Sequence, residues 1–146
     1  FVMDLADRAA SIPPAVLCHR DFHSRNLVVS PTGRLAMVDI QDGRLGPLGY
    51  DLASLLWDAY VDLEGGLQQD MIVLFREKTG QGEDFQASLH TLALQRTLKA
   101  LGTFGYQISV MGRERYRSSI PRTLKNIAAL AGDIDALGPI LEHLPG

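Results

Sequence analysis

The chain opens on an amphipathic stretch, Phe1-Val-Met-Asp-Leu-Ala-Asp-Arg, with the character of the end of a helix. Ser11-Ile12-Pro13-Pro14 stops it, because proline lacks the amide a helix needs and pushes the preceding residue towards extended geometry. The apolar run Ala15 to Cys18 is short and suits a loop or a short strand. His19 to Asn26 is polar and fits no amphipathic template. Leu27-Val-Val and Leu35-Ala-Met-Val-Asp-Ile then read as two strands, joined by Ser30-Pro-Thr-Gly-Arg34, whose proline and glycine suit a tight hairpin.

Beyond Gly49 the pattern becomes helical. Asp51-Leu-Ala-Ser-Leu-Leu-Trp-Asp-Ala-Tyr-Val predicts a helix with Leu52, Leu55, Leu56 and Ala59 on helical spacing, stopped by Gly65-Gly66. Leu67 to Lys78 predicts a second, ended by Gly80 and Gly82, and Asp84 offers an N-cap to a long third through Leu89, Leu92, Leu98 and Leu101. Pro121 and Gly132 divide the remainder into two further helices. The expected fold is a single α+β domain, predominantly helical, with one small β-hairpin and no internal repeat or dividing linker.

Composition narrows the class. With 146 residues, 46% apolar and 21% charged, the chain can bury a continuous core. No apolar run approaches the roughly 18 residues of a membrane span, and no basic segment leads into an apolar stretch as in a signal peptide. A cytoplasmic protein with no membrane partner is the expectation. Cys18 is the only cysteine, which excludes an internal disulfide and a multi-cysteine metal site, and it reads as a small buried hydrophobe. Net charge is −3, with basic residues dispersed except at Arg113, Arg115, Arg117, Arg122 and Lys125. Glu114 interrupts that cluster, so it reads as solvated surface and no nucleic-acid partner is expected. Because the chain begins at Phe1, already inside a helical pattern, it is expected to be a fragment.

The chemistry concentrates in His19-Arg-Asp-Phe-His-Ser-Arg-Asn26 and in Asp39, which the hairpin is expected to carry on its second strand. Phosphoryl transfer needs a carboxylate near the attacking hydroxyl and oxygen ligands for the magnesium that bridges the nucleotide phosphates. Asp21 suits the first task, and Asn26 and Asp39 suit the second. Residues 22–25 form a loop that lets Asp21 and Asn26 face one cavity, and the hairpin returns Asp39 beside Asn26. Magnesium takes few protein oxygens, so one carboxylate and one amide oxygen are enough. Taken singly, each residue also suits a turn or a cap.

His19-x-Asp21-x-x-x-x-Asn26 followed by Val38-Asp39 resembles the signature shared by aminoglycoside phosphotransferases, choline kinases and protein kinases. The continuation Asp42-Gly-Arg-Leu-Gly-Pro-Leu-Gly-Tyr-Asp-Leu-Ala53 is similar to the aminoglycoside-phosphotransferase branch. Together with Gln95-Arg-Thr-Leu-Lys-Ala-Leu-Gly102, the wording most resembles the bacterial N-acetylmuramate/N-acetylglucosamine 1-kinases of cell-wall recycling. The resemblance runs from about Val16 to Gly105. It implies the C-terminal lobe of a protein-kinase-like fold spanning residues 1–146, with ATP as donor and Mg2+ as cofactor. It also implies Asp21 as catalytic base, Asn26 and Asp39 as metal ligands, and Asp51 as a brace for the catalytic loop, a role compatible with an N-cap. His19 and His23 are expected to order that loop. Nothing before Asp21 resembles the glycine-rich loop, lysine and glutamate that grip ATP in this family, so the nucleotide-binding lobe is expected to lie outside the chain.

Residues 40–50 are too few for an activation segment and a peptide-docking platform, which argues against a protein kinase and for a small-molecule substrate. The glycines at 43, 46 and 49 read as backbone turns, since no Lys-Ser/Thr pair follows them. Arg96 and Lys99 fall in the segment suspected of reaching substrate and suit a neutral or acidic sugar, although solvated helix surface explains them equally. An aminoglycoside or other antibiotic kinase is the alternative, and a catalytically silent kinase-like binding module is the alternative from another class.

Overall fold

A computed structural model describes residues 2–131. The first helix, α1, covers Val2–Ser11 and closes with Ser11 Oγ donating to the Arg8 carbonyl at 2.7 Å. β1, Pro14–Cys18, follows and pairs antiparallel with a distant strand, β4, at Arg44–Pro47. Between them lies the hairpin, β2 at Leu27–Val29 and β3 at Leu35–Met37, with Leu27 opposite Met37 and Val29 opposite Leu35. The described residues therefore hold two two-stranded sheets, one more than the expected hairpin.

β4 escapes a reading of the sequence because Arg44-Leu-Gly-Pro47 contains no β-branched or aromatic residue, and only its pairing with β1 makes it a strand. Gly46 is consequently not a turn. It lies within β4, where a Cβ would stand 2.9 Å from Cys18 Sγ, so the missing side chain is what lets the two strands close over the cysteine. Gly49 does turn the chain: at φ 92° it delivers the next residue into a helix, and a Cβ there would meet the Phe85 ring at 3.0 Å.

The helices α2 (Tyr50–Leu56), α3 (Gly65–Thr79), α4 (Phe85–Ser109) and α5 (Ile120–Ala131) complete the described chain. α2 stops well short of Val61, the expected end. The Asp58 carboxylate accepts the Tyr60 amide at 2.7 Å, a local side-chain bond that offers the backbone a turn in place of another helical bond. Gly65 accordingly begins α3 and does not stop the helix before it. Asp84 does precede α4, but its side chain makes no capping bond. Pro121 sits in the first turn of α5, where a missing amide costs little. The helix expected after Gly132 lies outside the described residues.

α4 is the spine, packing against α1, α2 and α5. One apolar cluster joins Leu52, Ala53 and Leu56 of α2 to Ile72 of α3 and to Phe85, Leu89 and Leu92 of α4. A second joins Leu5 of α1, Leu94 and Leu101 of α4, and Ile127 of α5. Among the described residues no helix is long and apolar enough to cross a membrane. The basic cluster has internal partners: Arg117 Nε meets Glu114 at 2.8 Å, Lys125 meets Asp62 at 3.3 Å and Arg113 meets Gln107 at 3.0 Å. The hydrogen bond from Arg117 holds the Glu114 carboxyl below its usual range.

The polar segment between β1 and β2 hangs from the start of α2. Asp51, in the first turn, accepts the amides of His19 at 2.7 Å and Arg20 at 2.9 Å. Arg20 adopts φ 70°, a left-handed conformation that a non-glycine residue holds only when its surroundings enforce it. Asp51→Ala removes the acceptor for both amides and should cost roughly 1–3 kcal/mol of stability, read as a thermal midpoint several degrees lower by circular dichroism. An unchanged midpoint would show that Asp51 does not brace the loop.

Candidate active site

The loop from His19 to Asn26 has little regular structure beyond a single 3-10 turn at Ser24–Asn26, so its amides must find side-chain acceptors. Asp51 takes those at the start. A second carboxylate takes one near the end: Asp58, only 3% exposed, accepts the Ser24 amide at 2.7 Å through one oxygen while the other takes the Tyr60 amide. Sequence reasoning missed Asp58, since the apolar spacing of a helix runs through it. The signal was local, an aspartate two residues before Tyr60 and able to close a turn on its amide.

Within the loop, Asn26 is buried and its Nδ2 donates to the Asp21 carbonyl at 2.8 Å and the Asp21 carboxylate at 3.1 Å. Both bonds fix the orientation of the amide, and its Oδ1 is left facing elsewhere. His23 Nε2 approaches the other Asp21 oxygen at 3.3 Å, with its ring edge-on to Tyr60 at 5.1 Å. Arg25 lies over the Tyr60 face, 3.7 Å from the ring centre. Burial raises the Tyr60 hydroxyl above its ordinary pKa, and the Arg25 charge opposes that shift. The Asp21 side chain itself is about half exposed, and it lines a cavity.

Asp39 is not on a strand as expected. β3 ends at Met37, and Asp39 stands in a left-handed conformation at φ 69°, exposed, opening a 3-10 turn at Ile40–Asp42. Its position is set through Val38. The Val38 amide donates to the Asn26 carbonyl at 3.0 Å, and the Val38 carbonyl accepts from His19 Nε2 at 2.9 Å. A carbonyl can only accept, so the His19 proton sits on Nε2 and the residue ties two segments together. The loop that carries Asp21 and the turn that carries Asp39 are thus bonded through the His19 side chain and the Asn26 backbone carbonyl.

Asn26 Oδ1 and the Asp39 carboxylate are hard oxygen donors on adjoining segments, a set that fits magnesium and gives no tetrahedral nitrogen or sulfur site. Cys18 belongs to the scaffold: burial, and secondarily the Asp51 charge, raise its thiol pKa, and it donates to the Pro47 carbonyl.

The cavity holds about 250 Å3 and lies between the loop, the end of α2 and the middle of α4. Arg20, Asp21, His23, Tyr60, Arg96 and Lys99 all line it. The two α4 cations therefore share one cavity with the loop carboxylate. Arg96 Nη1 donates to the Tyr50 hydroxyl at 2.7 Å, and its guanidinium lies 4.7 Å from the centre of that ring.

Comparison with known proteins finds relatives across most of this chain. The chain is 33% identical over 135 residues to the N-acetylmuramate/N-acetylglucosamine kinase of Neisseria meningitidis serogroup B, covering 87% of this chain and 40% of that protein. It is 31% identical over 155 residues to the kinase of the same name from Pseudomonas aeruginosa, covering 99% of this chain and 46% of that protein. The counterpart in Caulobacter vibrioides is 32% identical over 115 residues, 73% of this chain and 31% of that protein. The chain thus spans less than half the length of the curated relatives it matches. With a family model matching residues 3–101, across the loop, both sheets and most of α4, the chain belongs to the phosphotransferase enzyme family.

Proposed function

We propose that this chain is the catalytic lobe of an ATP-dependent kinase that phosphorylates the anomeric hydroxyl of an amino sugar, N-acetylmuramate or N-acetylglucosamine. The observation that carries the reading is the bonded unit of Asp21, Asn26 and the Val38-Asp39 segment, in which Asp21 lines a cavity of about 250 Å3 while Asn26, expected to face the same cavity, and Asp39 stand behind it. That volume falls below the roughly 300–1,000 Å3 typical of drug-sized ligand sites and suits one sugar ring better than a peptide. The names of the relatives support the choice of sugar.

In this reading Asp21 accepts the proton of the sugar hydroxyl as the oxygen forms its bond to the γ-phosphorus and the bond from that phosphorus to ADP breaks. Asn26, through its Nδ2, aims the carboxylate, and His23 steadies its other oxygen. Asn26 Oδ1 and Asp39 would hold magnesium, which when bound draws charge off the transferring phosphoryl group. An antibiotic kinase is disfavoured, because a polycationic substrate calls for acidic groups free to meet it. Here Asp58 is occupied by backbone amides, and Asp21 by Asn26 and His23.

Nucleotide binding is assigned to residues outside this chain. Supporting that, Leu17, Val29, Leu35 and Leu45, all on the two sheets, are each about two-thirds exposed, and such apolar surface is usually covered in the working protein. The chain alone should therefore stay folded yet transfer no phosphate from ATP at a useful rate. Adding the missing portion of the polypeptide should restore transfer, with phosphorus NMR placing the phosphate on the anomeric oxygen. Robust transfer by the isolated chain overturns the division of labour, and modification of aminoglycosides alone overturns the substrate.

In the intact kinase, Asp21→Asn and Asp39→Asn should each lower turnover by at least about a thousandfold with an unchanged circular dichroism spectrum, the loss typical when a base or a transition-state charge is removed. Near-normal turnover in either variant refutes the role given to that residue.

A further inference from the structure

We propose that Arg96, with Lys99 beside it on α4, forms a carboxylate-binding subsite through which this cavity selects an acidic sugar over its neutral counterpart. The proposal rests on the amino-sugar kinase reading above and assigns the residues that discriminate between the two sugars. Three residues apart on one helix, Arg96 and Lys99 share a face, and both line the cavity that holds Asp21. A substrate whose hydroxyl approaches the base therefore has its remaining substituents within the same enclosure as these cations.

The charges in that enclosure are unequal in their engagement. Its carboxylates, Asp21 and Asp58, are both occupied by bonds within the protein. Its cations, Arg20, Arg96 and Lys99, form no ion pair among the described residues. An anion entering the cavity meets three cations without an ion-pair partner among the described residues, whereas a cation meets two carboxylates already engaged by protein bonds.

Arg96 is also not an ordinary surface arginine. Its guanidinium is fixed by the Tyr50 hydroxyl and packed over the Tyr50 ring, so its direction is set before any ligand arrives. Tyr50 is neutral and takes one of five N–H donors, while Nε is buried without a partner. A planar fork held in place with donors to spare is the group best suited to a carboxylate. Lys99, more exposed, adds charge without directional demand. The ligand chemistry is thus a sugar bearing a carboxylate on an ether arm, as N-acetylmuramate does and N-acetylglucosamine does not.

The test compares the two sugars in the intact kinase. Arg96→Gln should lower the ratio of kcat/KM for N-acetylmuramate over that for N-acetylglucosamine by about tenfold or more, the loss of one charge-assisted hydrogen bond, and Lys99→Gln should lower it by a smaller factor. Arg96→Lys should recover part of the ratio. Since Lys99 is exposed, its variant reads the subsite even if Arg96→Gln fails to fold. An unchanged ratio in both glutamine variants overturns the proposal. So does an equal fall for both sugars with a raised KM for ATP, which would give these cations to the nucleotide phosphates. Calorimetric titration with each sugar in the absence of nucleotide reads the subsite without any reaction. Tighter binding of N-acetylmuramate that Arg96→Gln abolishes supports the subsite even if no sugar is phosphorylated, a result that would refute the kinase reading alone. Equal affinities for the two sugars refute the subsite.

Discussion

A loop with no strand or long helix of its own must satisfy its amides with side chains, and here two carboxylates supply what a neighbouring strand would. Asp51 binds the amides of His19 and Arg20, and Asp58 binds that of Ser24. They stand at the first turn of α2 and just past its end, so one short helix presents both anchors. Hydrogen bonds to an ionised acceptor are among the stronger ones in proteins. The helix itself is buried through Leu52, Ala53 and Leu56 against α3 and α4. The position of Asp21 therefore depends on packing several residues away from any reacting atom.

The same bonds tie the loop that carries Asp21 to the segment that carries Asp39. His19 is held at its amide by Asp51 and reaches through its ring to the Val38 carbonyl, while Asn26 reaches Asp21 with its side chain and Val38 with its backbone. Val38 is clamped on both sides, and Asp39 follows it directly. Two residues at left-handed angles, Arg20 and Asp39, flank this arrangement. Each carries a conformational cost of order 1–3 kcal/mol. That cost is tolerated where the surrounding bonds over-determine the geometry, and Arg20 has Asp51 on its amide to do so.

Much of this was legible in the residues. The proline stop after α1, the hairpin and the run of α4 follow from local chemistry and spacing, and the bracing of the loop by Asp51 was implied by the family resemblance. What was not legible depended on pairing between distant segments. β4 has no strand composition and exists through β1, and Gly46, which reads as a turn, pairs with Val16 and leaves room for Cys18 Sγ. The early end of α2 turns on Asp58, whose carboxylate prefers two amides to a helical exit, a competition that apolar spacing cannot register. Asp39 was expected on the second strand of the hairpin, but β3 ends at Met37 and Asp39 takes a left-handed conformation that strand composition does not announce.

The two halves of the cavity are built on different principles, and they touch at one point. One side is the loop that carries Asp21, whose amides are engaged by Asp51 and Asp58, so little there can change without disturbing Asp21. On the other side, Arg96 and Lys99 line the cavity from α4, a helix whose fold is secured by Leu89, Leu92 and Leu101 on other faces. Lys99 is exposed, whereas Arg96 is held by Tyr50. The point of contact is Tyr50, which bonds Arg96 and immediately precedes Asp51. A ligand that draws on the Arg96 guanidinium pulls against a side chain one residue from the anchor of the catalytic loop. The α4 wall of the cavity and the loop that carries Asp21 are thereby linked through a single tyrosine at the start of α2.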